Sequence, residues 1–296
     1  MNSPLCALGH VATTGELEAA GVDWRARDML PAQGAYRPRR GTFACTHLQP
    51  YERAAVSCRA RLDCITVLRA EGIWTGFHTG LHLRFRRGDK QARAHVAATR
   101  TPTSMHWGAE RFGGGSKLRV SVQEALFCAL RCLPAEDAIA AIESAVHLGR
   151  LTRGKALAVM QAAPRSLAPV MDLVDPTFRA QSGYETKVRL RLEARGHRVS
   201  PQFALTEHLH LDNLVDGVVA VETDGKQHAE TLHDDHRRDL ATEAAGIRAL
   251  RIDPLLVDAD WRRVEAVIER MIREAGRPES TGSVNPRSGR RLSAPN

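Results

Sequence analysis

The chain has 296 residues, of which 43% are hydrophobic and 26% charged, and its formal net charge is +8. This length is sufficient for two or three domains with separate cores, and the positive charge favours polyanionic partners such as DNA. An aromatic content of only 5% argues against large stacking platforms for single-stranded nucleic acid.

The first fifty residues predict two helices followed by a hairpin. Thr13–Glu16 (TTGE) has the spacing of a capping box, which opens a helix. Asp23 is placed to cap a second helix, which Pro31 should end. Residues 35–46 then predict two short strands joined by the turn Arg39-Arg40-Gly41.

Residues 51–175 predict a mixed α/β region. Its expected elements are strands at Cys64–Leu68 and Leu81–Phe85, a loop at Arg111–Lys117, and helices at Val120–Cys132, Ala135–Leu148 and Thr152–Ala162. Three prolines between 164 and 176 indicate a linker.

All six cysteines lie in the first half of the chain, at Cys6, Cys45, Cys58, Cys64, Cys128 and Cys132. None forms a CxxC pair, and no histidine pair follows them at zinc-finger spacing. The pattern therefore predicts reduced core thiols. We find no signal-peptide pattern and no window of membrane-spanning length, so a cytoplasmic protein is expected.

Residues 181–275 predict a domain with the element order α-β-β-β-α-β-α. Its expected elements are a helix at Gly183–Arg195, strands at Arg198–Leu205, His208–Val215 and Val218–Asp224, a helix at Leu232–Ala245, a strand at Ile247–Ile252 and a helix at Asp260–Ala275. The last residues, 276–296, contain too few apolar side chains to form a core and predict a disordered tail.

The hairpin turn at Asp216-Gly217 decides which side chains face one another. A two-residue turn would pair Asp212 with Val221. A three-residue loop with a glycine bulge would pair Val215 with Val219 and Asp212 with Glu222. In that second register, one face carries His210, Asp212, Glu222 and Asp224. Carboxylates grouped in this way are the hard oxygen ligands that Mg²⁺ or Mn²⁺ prefers.

Several motifs carry a resemblance to a known family. These motifs are Glu185 on a leading helix, Asp212, Glu222–His228 (ETDGKQH), Arg238-Asp239 and Ala249-Leu-Arg. In this order they resemble an actinobacterial domain-of-unknown-function family related to very-short-patch-repair endonucleases, of the PD-(D/E)xK type. The resemblance covers about a third of the chain and implies a restriction-endonuclease-like αβββαβ core.

The resemblance also implies roles for individual residues. Asp212 and Glu222 would hold the metal, with Glu185 behind them as an outer-shell or second-metal carboxylate. Asp224 stands where this superfamily has a lysine, which is a departure from the pattern. Lys226 has the same strand parity and would reach back, and His228 would carry a proton.

The stretch Gly9–Cys45 resembles the winged-helix domain at the start of AbiEi-type antitoxins. The matching segments are Val11-Ala-Thr-Thr, Leu17, Ala19-Ala-Gly21 and Tyr36–Phe43. The resemblance implies that Arg25 and Arg27 face the DNA major groove, and that Arg37, Arg39 and Arg40 contact phosphates. Pro31 is a departure, because it shortens the recognition helix. Residues 51–175 resemble the connecting domain of these proteins.

The sequence therefore predicts an α/β protein, α+β overall, with a winged helix at 1–50, a connecting domain at 51–175 and a nuclease-like domain at 181–275. The expected function is a Mg²⁺- or Mn²⁺-dependent DNA endonuclease or nickase without an organic cofactor. Cutting both strands would require a homodimer. The alternative is an antitoxin-like DNA-binding regulator whose nuclease fold has lost its activity.

Overall fold

The computed structural model describes residues 4–223 and 232–276, which form two compact units. The first unit ends at Arg195 and the second begins at Gly196. Both units mix helices with small sheets, as the predicted α/β class requires. The predicted tail lies outside the described residues except for Gly276, which caps the last helix.

The first unit begins with a small module of short helices and a three-stranded sheet. Its elements are α1 (Pro4–Ala7), β1 (Val11–Thr13), α2 (Thr14–Ala19), α3 (Trp24–Met29), a 3₁₀ turn (Pro31–Gln33), β2 (Ala35–Arg39) and β3 (Thr42–Cys45). Both predicted caps are present: Thr13 and Glu16 form the capping box of α2, and Asp23 accepts from the backbone N–H of Ala26. The predicted hairpin is confirmed, but β1 was not predicted. It pairs antiparallel with β3 and is only three residues long.

The rest of the first unit surrounds a second small sheet. Its elements are α4 (Pro50–Ser57), β4 (Arg61–Leu62), α5 (Cys64–Ala70), β5 (Leu81–Phe85), α6 (Ala92–Thr99), β6 (Thr103–Trp107), α7 (Val122–Ala129), α8 (Ala135–His147), α9 (Arg153–Gln161), a 3₁₀ turn (Arg165–Leu167), α10 (Ala168–Met171) and α11 (Gly183–Glu193). The sheet order is β4-β5-β6. The predicted strand β5 and helices α7, α8 and α9 are confirmed.

The predicted strand at Cys64–Leu68 is wrong, because these residues form the start of helix α5. Asp63 caps this helix, with its carboxylate accepting from the backbone N–H of Cys64 at 2.7 Å. All five residues of the run are buried. A helix that is buried on every side shows no 3.6-residue alternation, so a short apolar run of this kind has the same appearance as a buried strand.

Helix α11 packs against α8 within the first unit. Arg189 on α11 donates to Glu143 on α8 at 2.8 Å, and both side chains are almost fully buried. Arg191 and Glu136 make a more exposed pair between the same two helices. The division into units therefore falls after α11, whereas the domain expected from the sequence starts before it.

The second unit is a four-stranded mixed sheet with helices. Its elements are β7 (Val199–Ala204), β8 (His210–Val215), β9 (Val219–Thr223), α12 (Leu232–Ala244), β10 (Arg248–Ile252), α13 (Pro254–Ala259) and α14 (Trp261–Ala275). The sheet order is β10-β9-β8-β7. Strand β8 pairs antiparallel with both β7 and β9, whereas β10 is parallel to β9, which requires a crossover. Helix α14 buries Val264, Ile268 and Met271, spaced at helical intervals.

The hairpin between β8 and β9 has the three-residue loop of the second predicted register. Val215 pairs with Val219 across the loop Asp216-Gly217-Val218. Asp216 has φ 50° and Gly217 has φ 77°. These left-handed conformations favour glycine and tolerate aspartate, which explains the Asp-Gly pair at this turn. This loop length places Asp212 and Glu222 on the same face of the sheet, as in the second predicted register.

His197 ties this hairpin loop to helix α14 of the second unit. Its Nδ1 lies 2.7 Å from Asp216 Oδ2 and its Nε2 lies 3.0 Å from Glu269 Oε1. Burial by itself lowers the pKa of His197, but the hydrogen bonds to Glu269 and Asp216 outweigh burial and raise it. The imidazolium is therefore the form that this contact favours.

We expect the stability of the second unit to depend on His197 and on pH. A histidine whose folded-state pKa is raised contributes its full stabilisation below the unfolded pKa of about 6.5. That contribution is lost as the pH rises through the raised value. As the pH rises above about 6.5, the urea midpoint should therefore fall more steeply in the wild type than in His197→Gln. Identical pH profiles for the two proteins would contradict this assignment.

None of the helices in the described ranges 4–223 and 232–276 combines the length and apolar character needed to cross a membrane.

Candidate active site on the four-stranded sheet

A row of polar side chains crosses the sheet of the second unit. Glu222 on β9 pairs with Arg251 on β10, Asn213 on β8 pairs with Val221 on β9, and Pro201 on β7 pairs with Asn213. Side chains alternate between the two faces of a strand, so Gln202, Asp212 and Glu222, each one position from these pairs, share the face of Arg251. Directly paired residues project from the same face of a sheet. The sheet therefore brings Asp212 and Glu222 together, as the three-residue loop predicts.

Hydrogen bonds from both neighbouring strands hold the Asp212 carboxylate in this row. The backbone N–H of Thr223 donates to its Oδ2 at 3.0 Å, and the Gln202 amide donates to its Oδ1 at 3.3 Å. Gln202 has φ 47°, a left-handed conformation in a strand residue. Such backbone strain is found often at functional sites. The Asp212 side chain is therefore positioned by β7 and β9 together.

Glu222 is the most buried acid of the row, with 4% of its surface exposed. Arg238 on α12 donates to Glu222 Oε1 at 2.9 Å, and Arg251 Nε lies 3.6 Å from Glu222 Oε2. Burial raises the pKa of Glu222, the Arg238 guanidinium opposes this shift, and the Asp212 charge adds to it. The row thus combines a desolvated carboxylate with a second carboxylate close enough to repel it.

Arg238 and Arg251 each have a second partner in this unit. Arg238 also donates to the carbonyl of His210 at 2.8 Å. Arg251 also donates to Asp239 Oδ1 at 2.7 Å. The motif Arg238-Asp239 therefore lies beside the two acids, with Asp239 reaching them through Arg251. The sequence analysis singled out this motif and the motif Ala249-Leu-Arg that contains Arg251, but it gave Arg251 no role and missed Gln202.

The structure does not test the remaining predicted residues of the site. Asp224, Lys226 and His228 lie outside the described residues, so their predicted roles stay predictions. Glu185 belongs to the first unit, where it is buried near the start of α11. The backbone N–H of Gln181 donates to its carboxylate at 2.9 Å. Its role as an outer-shell ligand also stays a prediction.

The arginines predicted to contact DNA differ in their exposure and in the contacts they make within the first unit. Arg25 is exposed beside Trp24, whose ring centre lies 5.2 Å from the guanidinium carbon. Arg27 forms a 2.6 Å ion pair with Glu18 and is only 18% exposed. Arg25 is thus presented to solvent, whereas Arg27 is partly used within the module.

The three arginines of the hairpin also differ in their exposure and in their partners. Arg37 is half exposed, bonds Asp28 at 3.1 Å and lies over the Phe43 ring. Arg40 is exposed in the turn. Arg39 instead donates to the carbonyl of Val56 on α4 at 2.9 Å. Burial, together with the nearby charge of Arg59, lowers the pKa of Arg39. The two arginines predicted to share the turn therefore have different environments.

Arg39 lines a cleft of the first unit whose volume is about 330 Å³. Its lining includes six cationic side chains, namely Arg39, Arg59, Arg61, Arg84, Arg86 and Lys117. Arg61 is paired with Glu110, and Arg84 with Asp63 and Glu124, so part of this charge is neutralised. Arg59 and Arg86 remain exposed. The surface can attract phosphate groups through these two residues.

Comparison with known proteins adds no relative. No protein-family model matches this chain, and no curated protein matches it closely enough to count as a relative. The fold and the chemistry of the polar row therefore carry the functional assignment.

Proposed function

We propose that this protein is a Mg²⁺- or Mn²⁺-dependent DNA endonuclease or nickase whose site is the Asp212–Glu222 pair. The observation that carries the proposal is the position of these two carboxylates, on one face of adjacent strands with Glu222 almost fully buried. Two neighbouring acids on a dry surface are costly unless cations offset them. A hard divalent cation is the ligand that suits such a pair.

The topology of the second unit supports the same proposal. A three-stranded antiparallel meander is followed by a helix and a fourth strand, which lies parallel to the third. This βββαβ order is the part that follows the leading helix in the αβββαβ core implied by the resemblance to the restriction-endonuclease-like superfamily, and the expected leading helix, α11, belongs to the first unit. The acids lie on the second and third strands of the meander, where the resemblance expects them.

The residues of the row have separate tasks in this proposal. Asp212 and Glu222 would hold the cation, and Gln202 and the Thr223 N–H orient Asp212. When bound, the cation supplies a Lewis acid that polarises the scissile phosphate and lowers the pKa of a water molecule. Arg238 and Arg251 limit the negative charge at Glu222. Lys226 and His228 are proposed as a phosphate contact and a proton carrier.

The first module of the chain supports DNA as the substrate. Its elements follow the order of a winged helix, which is helix, strand, two further helices and a hairpin. The sheet order β1-β3-β2 also agrees with this fold. Exposed arginines at Arg25 and Arg40 would contribute phosphate contacts, which give affinity and orientation rather than sequence selection. DNA binding by this module is part of the proposal.

A plasmid-nicking assay with Asp212→Asn tests the proposed activity. The purified full chain is incubated with supercoiled plasmid and Mg²⁺ or Mn²⁺, and open-circular product is quantified. We expect the substitution to reduce nicking by about 100-fold, since metal chemistry contributes several kcal/mol and 1.36 kcal/mol corresponds to tenfold.

The matched control is Glu207→Gln, which removes an exposed carboxylate from the β7–β8 connection of the same unit and should nick normally. Nicking by Asp212→Asn at the wild-type rate would rule out the site.

A DNA-binding regulator of the antitoxin type is the second candidate. The observation that favours it is the pairing of Glu222 with Arg238 and Arg251, which offsets the buried charge within the protein itself. This candidate predicts salt-dependent DNA binding by the wild type without nicking under either metal. Metal-dependent nicking that is lost in Asp212→Asn would exclude it.

A further inference from the structure

Two groups of cysteine and histidine side chains converge in the first unit. The N-terminal cluster consists of Cys6, His10, Cys45 and His47. The central cluster consists of Cys64, His82, His106 and Cys132. In each cluster, one sulfur or ring nitrogen from every residue lies within 4.8 Å of all the others.

The N-terminal cluster is assembled by both ends of the small module. Cys6 is on α1, His10 follows in a tight turn, and Cys45 ends β3 two residues before His47. Cys6 Sγ lies 3.5 Å from His47 Nδ1, and Cys45 Sγ lies 3.0 Å from His10 Nδ1. His10 has φ 68°, a left-handed conformation that non-glycine residues rarely adopt. The fold of this module therefore brings the ligand atoms of these four side chains close together.

Backbone N–H groups also contact the sulfur of Cys45. The N–H groups of His47 and Leu48 donate to this sulfur. Hydrogen bonds of this kind orient and stabilise a metal-bound thiolate. The Cys45 backbone N–H bonds the His10 carbonyl at 3.0 Å, which holds the two halves of the cluster together.

The central cluster has the same composition and comes from four different elements. Cys64 begins α5 with φ 49°, His82 and His106 lie on the paired strands β5 and β6, and Cys132 follows α7. His106 Nε2 lies 3.0 Å from His82 Nδ1 and 3.7 Å from Cys132 Sγ. His82 is buried, and its backbone N–H donates to Thr66 Oγ1 at 2.8 Å.

These spacings match the edges of a zinc tetrahedron. Zinc binds sulfur at about 2.3 Å and nitrogen at about 2.0–2.1 Å, so tetrahedral ligand atoms lie about 3.3 to 3.8 Å apart. The ligand-atom distances above run from 3.0 to 3.7 Å. The remaining ligand-atom pairs lie within 4.8 Å, so side-chain shifts of up to about 1 Å would complete either tetrahedron.

We infer that the first unit binds two structural zinc ions, one in each Cys₂His₂ cluster. Four protein ligands close the coordination sphere, and closed sites of this composition are structural rather than catalytic. The N-terminal ion would stabilise a module that has a small hydrophobic core. The module's own core contains only six buried residues, namely Leu5, Ala12, Leu17, Leu30, Phe43 and Cys45. Modules of this size commonly need a metal or another crosslink.

Metal content of the purified full chain tests the inference. Elemental analysis is expected to find two zinc ions per wild-type chain, one in Cys45→Ala and one in His82→Ala. Cys58→Ala is the matched control, because Cys58 is a buried cysteine outside both clusters, and it should retain two. Titration of denatured protein should find six reduced thiols. A wild type without zinc, or with Cys6 and Cys45 joined as a disulfide, would overturn the inference.

A conservative variant keeps the inference testable if alanine variants fail to fold. His47→Cys preserves four ligands and should keep two zinc ions. Cobalt substituted into the wild type should show the visible absorption of a tetrahedral site with thiolate ligands, and this absorption should change in His47→Cys. Cobalt spectra typical of an octahedral, oxygen-ligated ion would contradict the assignment.

Discussion

Glu222→Gln is expected to reduce metal-dependent nicking by at least about 100-fold while leaving the second unit as stable as the wild type. The amide keeps the shape of the side chain and an oxygen that can accept from Arg238. It lacks the negative charge that would hold the cation. Loss of activity without loss of fold is therefore the expected pair of results.

The stability half of this prediction follows from the raised pKa of Glu222. An acid whose pKa is higher in the folded state stabilises the fold below its unfolded pKa of about 4.3, and this contribution is lost as the pH rises through the folded value. At neutral pH the buried carboxylate is therefore a cost to folding. Glutamine removes this cost, and Arg238 and Arg251 keep their bonds to His210 and Asp239.

The control for Glu222→Gln is Glu274→Gln in the same unit. Glu274 is also paired with an arginine, at 2.6 Å from Arg248, but it lies on the surface. Its substitution should change neither nicking nor the thermal midpoint appreciably. Circular dichroism at pH 7 and the plasmid assay supply the two measurements. A folded Glu222→Gln protein that nicks at the wild-type rate would refute the proposed site.

The choice of variants matters because chelation would not separate the two classes of metal. A chelator that removes Mg²⁺ from Asp212 and Glu222 would also compete for the cysteine and histidine clusters proposed above. Loss of nicking in a chelator would then have two explanations. Substitutions in the polar row leave the clusters of the first unit intact, so they isolate the proposed catalytic metal.

Most of the order of strands and helices in the second unit could be predicted from the sequence because its signals are local, although the short helix α13 was not predicted. The valine-rich strand β9, the Asp216-Gly217 turn and the helical spacing of α14 each lie within a few neighbouring residues. The register at Asp212 and Glu222 was one of two alternatives. The glycine-bulge loop, with positive φ at Asp216 and Gly217, is the alternative that the structure contains.

Features made by residues that are distant in sequence could not be predicted in the same way. Cys6 and Cys45 are 39 positions apart, and His82 and His106 meet only because β5 and β6 pair. The sequence analysis therefore interpreted the cysteines as core thiols. This interpretation fits Cys58, which is buried outside both clusters, but it did not identify the clusters. Gln202 and Arg251 likewise join the polar row only through the pairing of four strands. The sequence analysis assigned helix α11 to the nuclease-like domain because it precedes that domain's strands, although α11 packs against α8 of the first unit.

Glu143→Ala is expected to destabilise the first unit by about 3–5 kcal/mol, the usual cost of removing one partner of a buried ion pair. Glu143 is 1% exposed and accepts from Arg189 at 2.8 Å, Thr186 at 2.6 Å and the Asp175 N–H at 2.8 Å. Burial raises the pKa of Glu143, and the Arg189 charge opposes this shift. The alanine variant would leave the Arg189 guanidinium buried with less compensation.

Glu136→Ala is the matched control, because Glu136 pairs with Arg191 between the same two helices but is 37% exposed. Its expected cost is below about 1 kcal/mol. Urea unfolding followed by tryptophan fluorescence reports mainly on the first unit, which contains Trp24, Trp74 and Trp107, whereas Trp261 is in the second. A large loss in Glu143→Ala alone would show that α11 is bound to α8 as an integral helix of the first unit. Equal losses in the two variants would contradict a buried ionic contact as the feature that secures α11.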